Sequence, residues 1–389
     1  MALPKDPIAA VTHANPYPYY ADLVARAPIY YDQTLGLWVA SSAAAVAAVL
    51  QSDPCKVRPP AEPVPKALLG SPAADIFRVL IRMNDGAGHC PFNRAVAATL
   101  ESIDATRAAE ESGKWARVLF HEIGPRGDPG RLTDFSFRLS VYVIGSLLGV
   151  SSGELPQIAS SMSEFVRCVA PGGSADQIEQ GKRAAGRLLE TFRTLFRAAP
   201  ADGLLAILAR EAQRVGREDT DVIIANGIGF LSQAYEATAG LIGNTLLALI
   251  AHPGLHERVE SDPGILHDLI QEVLRYDPPV QNTRRFLARE GIVAGRKMKE
   301  GDAVLVVLAA ANRDPAVNTL PARFDIFRKD RRIFTFGVGI HVCPGAALAT
   351  TIAQAGVAHI MGSGMNLMPP AQAVTYRVSA NTRIPLFVS

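Results

Sequence analysis

Apolar side chains return every three or four positions through much of this chain, the repeat of a helix with one buried face. The pattern predicts helices over residues 43–50, 134–148, 177–196, 221–250, 263–275 and 346–360. Shorter runs with strand character cover 29–31 with 37–40, 303–308 and 383–388. The fold class is therefore mainly α with small β-sheets. Proline and glycine clusters at 59–65 and 171–174 read as loops. No low-complexity linker, charge block or repeat interrupts the pattern, so residues 1–389 read as a single domain.

Composition narrows the picture only a little. A chain of 389 residues, 48% of them hydrophobic, can bury a large core without disulfides. Cys55, Cys90, Cys168 and Cys343 show neither metal-knuckle spacing nor a paired framework, which suits a reducing cytoplasm. The opening MALPKDP has no basic segment followed by an apolar one, and the apolar stretch 39–50 is too short to span a bilayer. A net charge of +2 gives no ground for expecting nucleic acid or membrane as a partner. A cytoplasmic protein is expected.

The chemistry concentrates in Phe336-Gly337-Val338-Gly339-Ile340-His341-Val342-Cys343-Pro344-Gly345, just ahead of the predicted helix 346–360. Proline suits the first helical position, where its missing N–H is not needed. Cys343 would then lie at a helix N-terminus, where unpaired amides and the dipole favour the thiolate. A lone thiolate in such a loop can serve as an axial ligand to haem iron. An inert buried cysteine is the alternative. Gly337, Gly339 and Gly345 let backbone pass close to a flat macrocycle, and His341 can donate to a propionate. Farther back, Glu272 and Arg275 lie three apart in EVLR, on one helical face. An exposed pair of this kind contributes little. Here it is followed by Ala311-Asn312-Arg313-Asp314-Pro315 and Ala322-Arg323-Phe324-Asp325.

The loop, the pair and these following segments resemble the cytochrome P450 family, and the resemblance extends over nearly the whole chain. It implies the cytochrome P450 fold, with haem b between a long distal helix and the cysteine-loop helix. Cys343 would be the metal ligand, with Phe336, Gly337 and Gly345 shaping the loop against the cofactor. Arg323 would join Glu272 and Arg275 in a buried ion network behind that loop. Three groups suit the propionates: His341, Arg285 after Pro278-Pro279-Val280-Gln281, and His89 at the head of HCPFNRAV. A solvated surface position is the alternative for each. The family pattern continues with an arginine four residues after the histidine, where this chain has Asn93 followed by Arg94.

Residues 231–244, LSQAYEATAGLIGN, fall where the family places its distal helix. Leu241-Ile242-Gly243-Asn244 fits, and Glu236 matches the acidic residue. The family's glycine is Ala234 here, and its threonine, which steers protons to dioxygen, is Ala237. A hydroxyl at that place orients the proton-donating water, and alanine has none. Thr238 is about 100° further round the helix, and a bond back to a carbonyl one turn earlier is its plain reading. Gln233 shares the face of Glu236 and Ala237. Its amide can donate to oxygen, ligand or substrate, or it can cap a local kink. Glu236, Gln233 and Thr238 are thus the candidate catalytic residues.

The resemblance implies a monooxygenase that inserts one atom of dioxygen into a small organic substrate. Electrons would come from NAD(P)H through a separate ferredoxin or flavodoxin-type donor and its reductase. The run Arg328-Lys329-Asp330-Arg331-Arg332 could dock an acidic ferredoxin, a solvated loop being the alternative. Ala237 keeps two further readings open. One is a peroxide-driven or substrate-assisted haem-thiolate enzyme. The other is a non-catalytic haem-binding or recruitment protein, against which the retained Cys343, Glu272 and Arg275 argue.

Overall fold

Local capping sets the helices in place. The computed structural model describes residues 3–86, 89–170, 172–198, 200–365 and 374–387. Ser42 accepts a hydrogen bond from the Ala45 amide and starts Ala43–Leu50. Asp219 accepts from the amides of Asp221 and Val222 and starts the longest helix, Thr220–Ala251. Leu132–Leu148, Ala175–Ala198 and Ala346–Gly362 match their predicted spans to within two residues. The span 263–275 divides into a 3₁₀ turn, Pro263–Ile265, and the helix Leu266–Tyr276. The structure adds Tyr17–Arg26, Pro72–Val79, Cys90–Glu101, Ala105–Ile123, Leu155–Val169, Leu204–Arg214 and Pro253–Ser261.

The strands form a five-stranded sheet in the order Ile29–Asp32, Leu37–Ala40, Ala303–Val306, Thr283–Leu287, Cys55–Lys56. Leu37–Ala40 and Ala303–Val306 run parallel, and the other neighbours are antiparallel. Val304, Leu305 and Val306 are all buried, as a central strand covered on both faces requires. Two predicted strands need correction. The run 303–308 stops at Val306 because Leu308–Ala311 turns into a short helix. Of 383–388 only Pro385–Leu386 is strand, paired with Thr375–Tyr376, and Val388 lies outside the described residues. Residues 59–65 and 172–174 are irregular, as expected, while Pro171 lies outside the described residues.

Helix Thr220–Ala251 is the centre of the core. It is long and apolar enough to cross a membrane, yet here it is mostly buried among the other helices. Leu132–Leu148 and Ala346–Gly362 pack along it. Its second half is pressed against the chain's last segment. A Cβ on Gly240 would meet the Arg383 carbonyl and Pro279 at 2.8 Å, and one on Gly243 would meet Pro385 at 2.9 Å. Asn244 Nδ2 then donates to the Asp277 carbonyl at 2.8 Å. In the first half, Asn226 takes the amide of Ile81 at 2.8 Å and gives its own to the Val79 carbonyl at 3.0 Å. The distal helix is therefore fixed on both sides of residues 231–237.

Candidate active site

The cysteine loop folds on itself through backbone hydrogen bonds. The Gly337 amide donates to Phe334 at 2.7 Å, and the Cys343 amide to Phe336 at 2.8 Å. Gly337 and Gly339 hold φ of 73° and 79°, left-handed conformations that a side chain would strain. Phe336 packs against the main core. The following helix begins at Ala346 with Gly345 as its cap, so Pro344 stands outside it rather than at its first position. The Gly345 amide donates to the Cys343 sulfur. Burial pushes the Cys343 thiol up, and that amide only partly offsets it, so the helix terminus alone does not make a thiolate. Cys343 is nevertheless exposed.

The three residues expected at the propionates come together. The rings of His89 and His341 lie 4.2 Å apart. His341 Nε2 is 3.0 Å from Asp85 Oδ1, and Asp85 Oδ2 accepts the Val57 amide at 3.0 Å. Burial would raise the Asp85 carboxyl, but hydrogen bonds from His341 and Val57 outweigh it and hold it low. Arg285 is buried on its strand and lies in the field of Asp85; burial lowers its guanidinium pKa nonetheless. His89 is pushed down to about 4, by burial first and then by the charge of His341. Its Nδ1 is buried without a hydrogen-bond partner among the described residues. Asp85 escaped the sequence reading, although it stands four residues before His89 in the same connection. Arg94 is exposed on its helix.

The ion network differs from the expected one. Glu272 and Arg275 are fully buried and joined at 2.6 Å. Arg323 does not join them: its side chain is 68% exposed and reaches Asp325 at 3.8 Å. Only its backbone carbonyl takes part, accepting from Arg275 at 3.0 Å. The further cations are Arg331, 3.1 Å from Glu272, and Arg328, 3.6 Å away. Glu272 also accepts the Asp325 amide at 3.0 Å. A backbone turn at 320–323, closed by the Arg323 amide on the Leu320 carbonyl at 2.9 Å, precedes the outward-facing arginine, while the next loop brings two others in. The basic run 328–332 is correspondingly reduced as a docking patch, since Lys329 and Arg332 are the exposed cations left in it.

On the distal helix the candidates are mostly engaged. Glu236 pairs with Arg377 at 3.2 Å and accepts from the Thr382 hydroxyl at 3.1 Å. Gln233 is exposed, and its Nε2 donates back to the Gly229 carbonyl of its own helix at 2.9 Å. Thr238 is buried, and its hydroxyl has no partner among the described residues, so it does not bond back one turn. Tyr235 packs on Phe137 with ring centroids 4.6 Å apart.

An exposed thiol in a glycine-shaped loop, a buried imidazole nitrogen with no hydrogen-bond partner among the described residues, and the buried Arg285 guanidinium beside Asp85 fit haem and its two carboxylates. Together with the long core helix they define a haem-thiolate type of protein. The cytochrome P450 family model matches residues 264–363. The chain is 31% identical over 349 residues to 6-deoxyerythronolide B hydroxylase of Saccharopolyspora erythraea, covering 87% of this chain and 85% of that one. It is 34% identical to a putative cytochrome P450 133B2 of Xylella fastidiosa over 238 residues, 60% of each chain. The crystal structure of CalO2 superposes with a TM-score of 0.83 at 24% identity, covering 100% of this chain and 98% of that one. This chain belongs to the cytochrome P450 family of haem-thiolate monooxygenases, whose members bind haem b.

Proposed function

We propose that residues 1–389 form one haem b domain with Cys343 as the iron ligand, and that it hydroxylates a small organic substrate. The accessible yet desolvated thiol of Cys343, with the Gly345 amide on its sulfur, is the observation that carries this reading. Bound haem would supply dioxygen activation and transfer of one oxygen atom. The chain's residues would do the rest. His89, His341 and Arg285 would orient the cofactor through its carboxylates, and the Gly345 amide would temper the charge on sulfur. The relative named for hydroxylating 6-deoxyerythronolide B supports a hydroxylation. Electrons would come from NAD(P)H by way of a separate ferredoxin or flavodoxin-type protein. The three cysteines whose state is described are free thiols, in keeping with work in a reducing cytoplasm.

Proton delivery is where the distal helix favours a second form of this activity. Ala237 has no hydroxyl, Glu236 is held by Arg377 and Thr382, and the Gln233 amide nitrogen is held by Gly229. A substrate hydroxyl or a peroxide co-substrate would supply what these side chains do not.

The test is the absorbance of the reduced carbon monoxide complex. Wild type should show the long-wavelength band of thiolate-ligated haem, and Cys343→His the spectrum of a histidine-ligated one. An unchanged thiolate band in Cys343→Ala would assign the ligand to another cysteine and end this reading.

A further inference from the structure

The chain has nine tyrosines, and five of them, Tyr276, Tyr17, Tyr20, Tyr19 and Tyr30, stand in one series. Ring centroids lie 6.1 Å apart from Tyr276 to Tyr17, 6.0 Å from Tyr17 to Tyr20 and 6.1 Å from Tyr20 to Tyr19. The Tyr19 hydroxyl then hydrogen-bonds with that of Tyr30. The inner end is tied to the cysteine loop. Tyr276 closes helix Leu266–Tyr276, whose Leu274 carbonyl accepts the Thr335 hydroxyl at 2.6 Å. The carbonyl of Phe336, next in the chain, accepts the Cys343 amide at 2.8 Å. At the outer end Tyr19 and Tyr30 are only half-buried.

Spacing of this kind is also ordinary aromatic packing, and the acid–base surroundings of Tyr17 set it apart. Among the described residues, Tyr17 is the member of the series whose hydroxyl donates to a carboxylate, that of Asp277. Arg383 Nε holds the same carboxylate oxygen at 2.9 Å. Arg383 is fixed in turn by the carbonyls of Val11, His13 and Ala14. The Arg313 guanidinium stacks 3.5 Å from the ring centroids of both Tyr17 and Tyr276. A cation so close opposes positive charge on either ring. Electron loss from Tyr17 therefore has to carry the phenolic proton away with it, and Asp277 is placed to take that proton. Tyr20 has no such outlet, being buried with no partner for its hydroxyl among the described residues.

We infer that Tyr17 is a redox-active tyrosine, which gives an electron toward the haem site and its phenolic proton to Asp277, and so drains oxidising equivalents that fail to reach substrate. The inference rests on the proposed haem site and goes beyond hydroxylation, to a one-electron, peroxidase-type activity. Hydrogen peroxide is the oxidant. One peroxide becomes two waters by taking an electron and a proton from each of two tyrosine side chains, which become neutral phenoxyl radicals. A hydrogen-atom donor such as ascorbate, reaching Tyr19 and Tyr30, returns each radical to tyrosine. Ala237 gives this drain a use, since a distal face whose polar side chains are engaged leaves more oxidising equivalents unspent.

The test mixes the haem-loaded protein with hydrogen peroxide, without substrate, and freezes it for electron paramagnetic resonance. Adducts with a nitroso spin trap are then located by peptide mass spectrometry. Wild type should give a tyrosyl radical, with the adduct on Tyr17. Tyr17→Phe should lose that signal and bleach its haem sooner in peroxide, while keeping the wild-type spectrum with carbon monoxide. Asp277→Asn should lose the signal too, because an amide oxygen accepts the hydrogen bond but not the proton. The haem-free protein gives an independent arm. Photo-oxidation by a ruthenium tris-bipyridine complex with persulfate should label Tyr17 in wild type and not in Asp277→Asn. The same radical spectrum and adduct sites in wild type and Tyr17→Phe would overturn the inference, as would wild-type adducts confined to other tyrosines. A missing thiolate band would sink the haem reading instead, and the ruthenium arm would still report on Tyr17, so the two failures are distinguishable.

Discussion

The buried network at Glu272 gives the sharpest energetic prediction. Its carboxylate takes two hydrogen bonds from Arg275, at 2.6 and 3.0 Å, one from Arg331 at 3.1 Å and one from the Asp325 amide at 3.0 Å. Glu272→Ala would leave Arg275 and Arg331 charged with no counter-ion, a loss of about 3–5 kcal/mol for a buried pair broken on one side. Arg331→Ala removes one charge-assisted bond and the contact of Arg331 with the Ile326 carbonyl at 2.8 Å, a loss of about 1.5–3 kcal/mol. Arg323→Ala removes a side chain that is 68% exposed and should change stability by less than about 0.5 kcal/mol. Urea unfolding followed by far-ultraviolet circular dichroism measures all three, as midpoint shifts at a common slope. The order Glu272 over Arg331 over Arg323 is the expected result. An Arg323→Ala protein as damaged as Arg331→Ala would refute the assignment.

His89 ties stability to pH. Its folded pKa of about 4 lies below the ordinary 6.5, so the unfolded chain binds the extra proton first as pH falls. The haem-free protein should therefore hold this contribution above about pH 6.5 and lose it progressively down to about pH 4. His89→Gln should flatten that slope in urea midpoints taken across the range, and parallel curves for the two proteins would contradict it. On the distal helix, Ala237→Thr should raise product formed per NAD(P)H consumed, because it adds a hydroxyl on the face where Gln233 and Glu236 are already engaged. Gln233→Ala should leave that ratio unchanged, and a fall in it would mean that the glutamine itself takes part in proton delivery.

The helices that the sequence makes legible are those with large apolar residues at strict spacing, such as Leu132–Leu148 and Thr220–Ala251. Ala105–Ile123 is harder to read, because Ala108, Ser112 and Ala116 make up half of its buried face. Its ends do carry signals, in the Asp104 cap and in Gly124 with its left-handed φ of 67°. Glu272 and Arg275 could be paired from sequence because a helix fixes their separation. Arg331 could not be distinguished from Arg323, since loops carry no period, and only the path of the chain through the turn at 320–323 and the loop after it decides which guanidinium faces inward. The same limit applies to Asp85, which lies in an irregular connection ahead of the helix Cys90–Glu101. Cys343 was legible because its glycines restrict the loop. The desolvation of its thiol was not, being a property of everything packed around it.

The two fixings of the distal helix divide it into mounts and tooling. Asn226, Gly240 and Gly243 hold the rod to the rest of the molecule and leave no room for other side chains. Between them, positions 233, 234 and 237 can be exchanged without moving the rod. A lineage, or a laboratory library, that varies these three would explore new pocket chemistries on an unchanged frame. The unusual residues already there read as one such exchange.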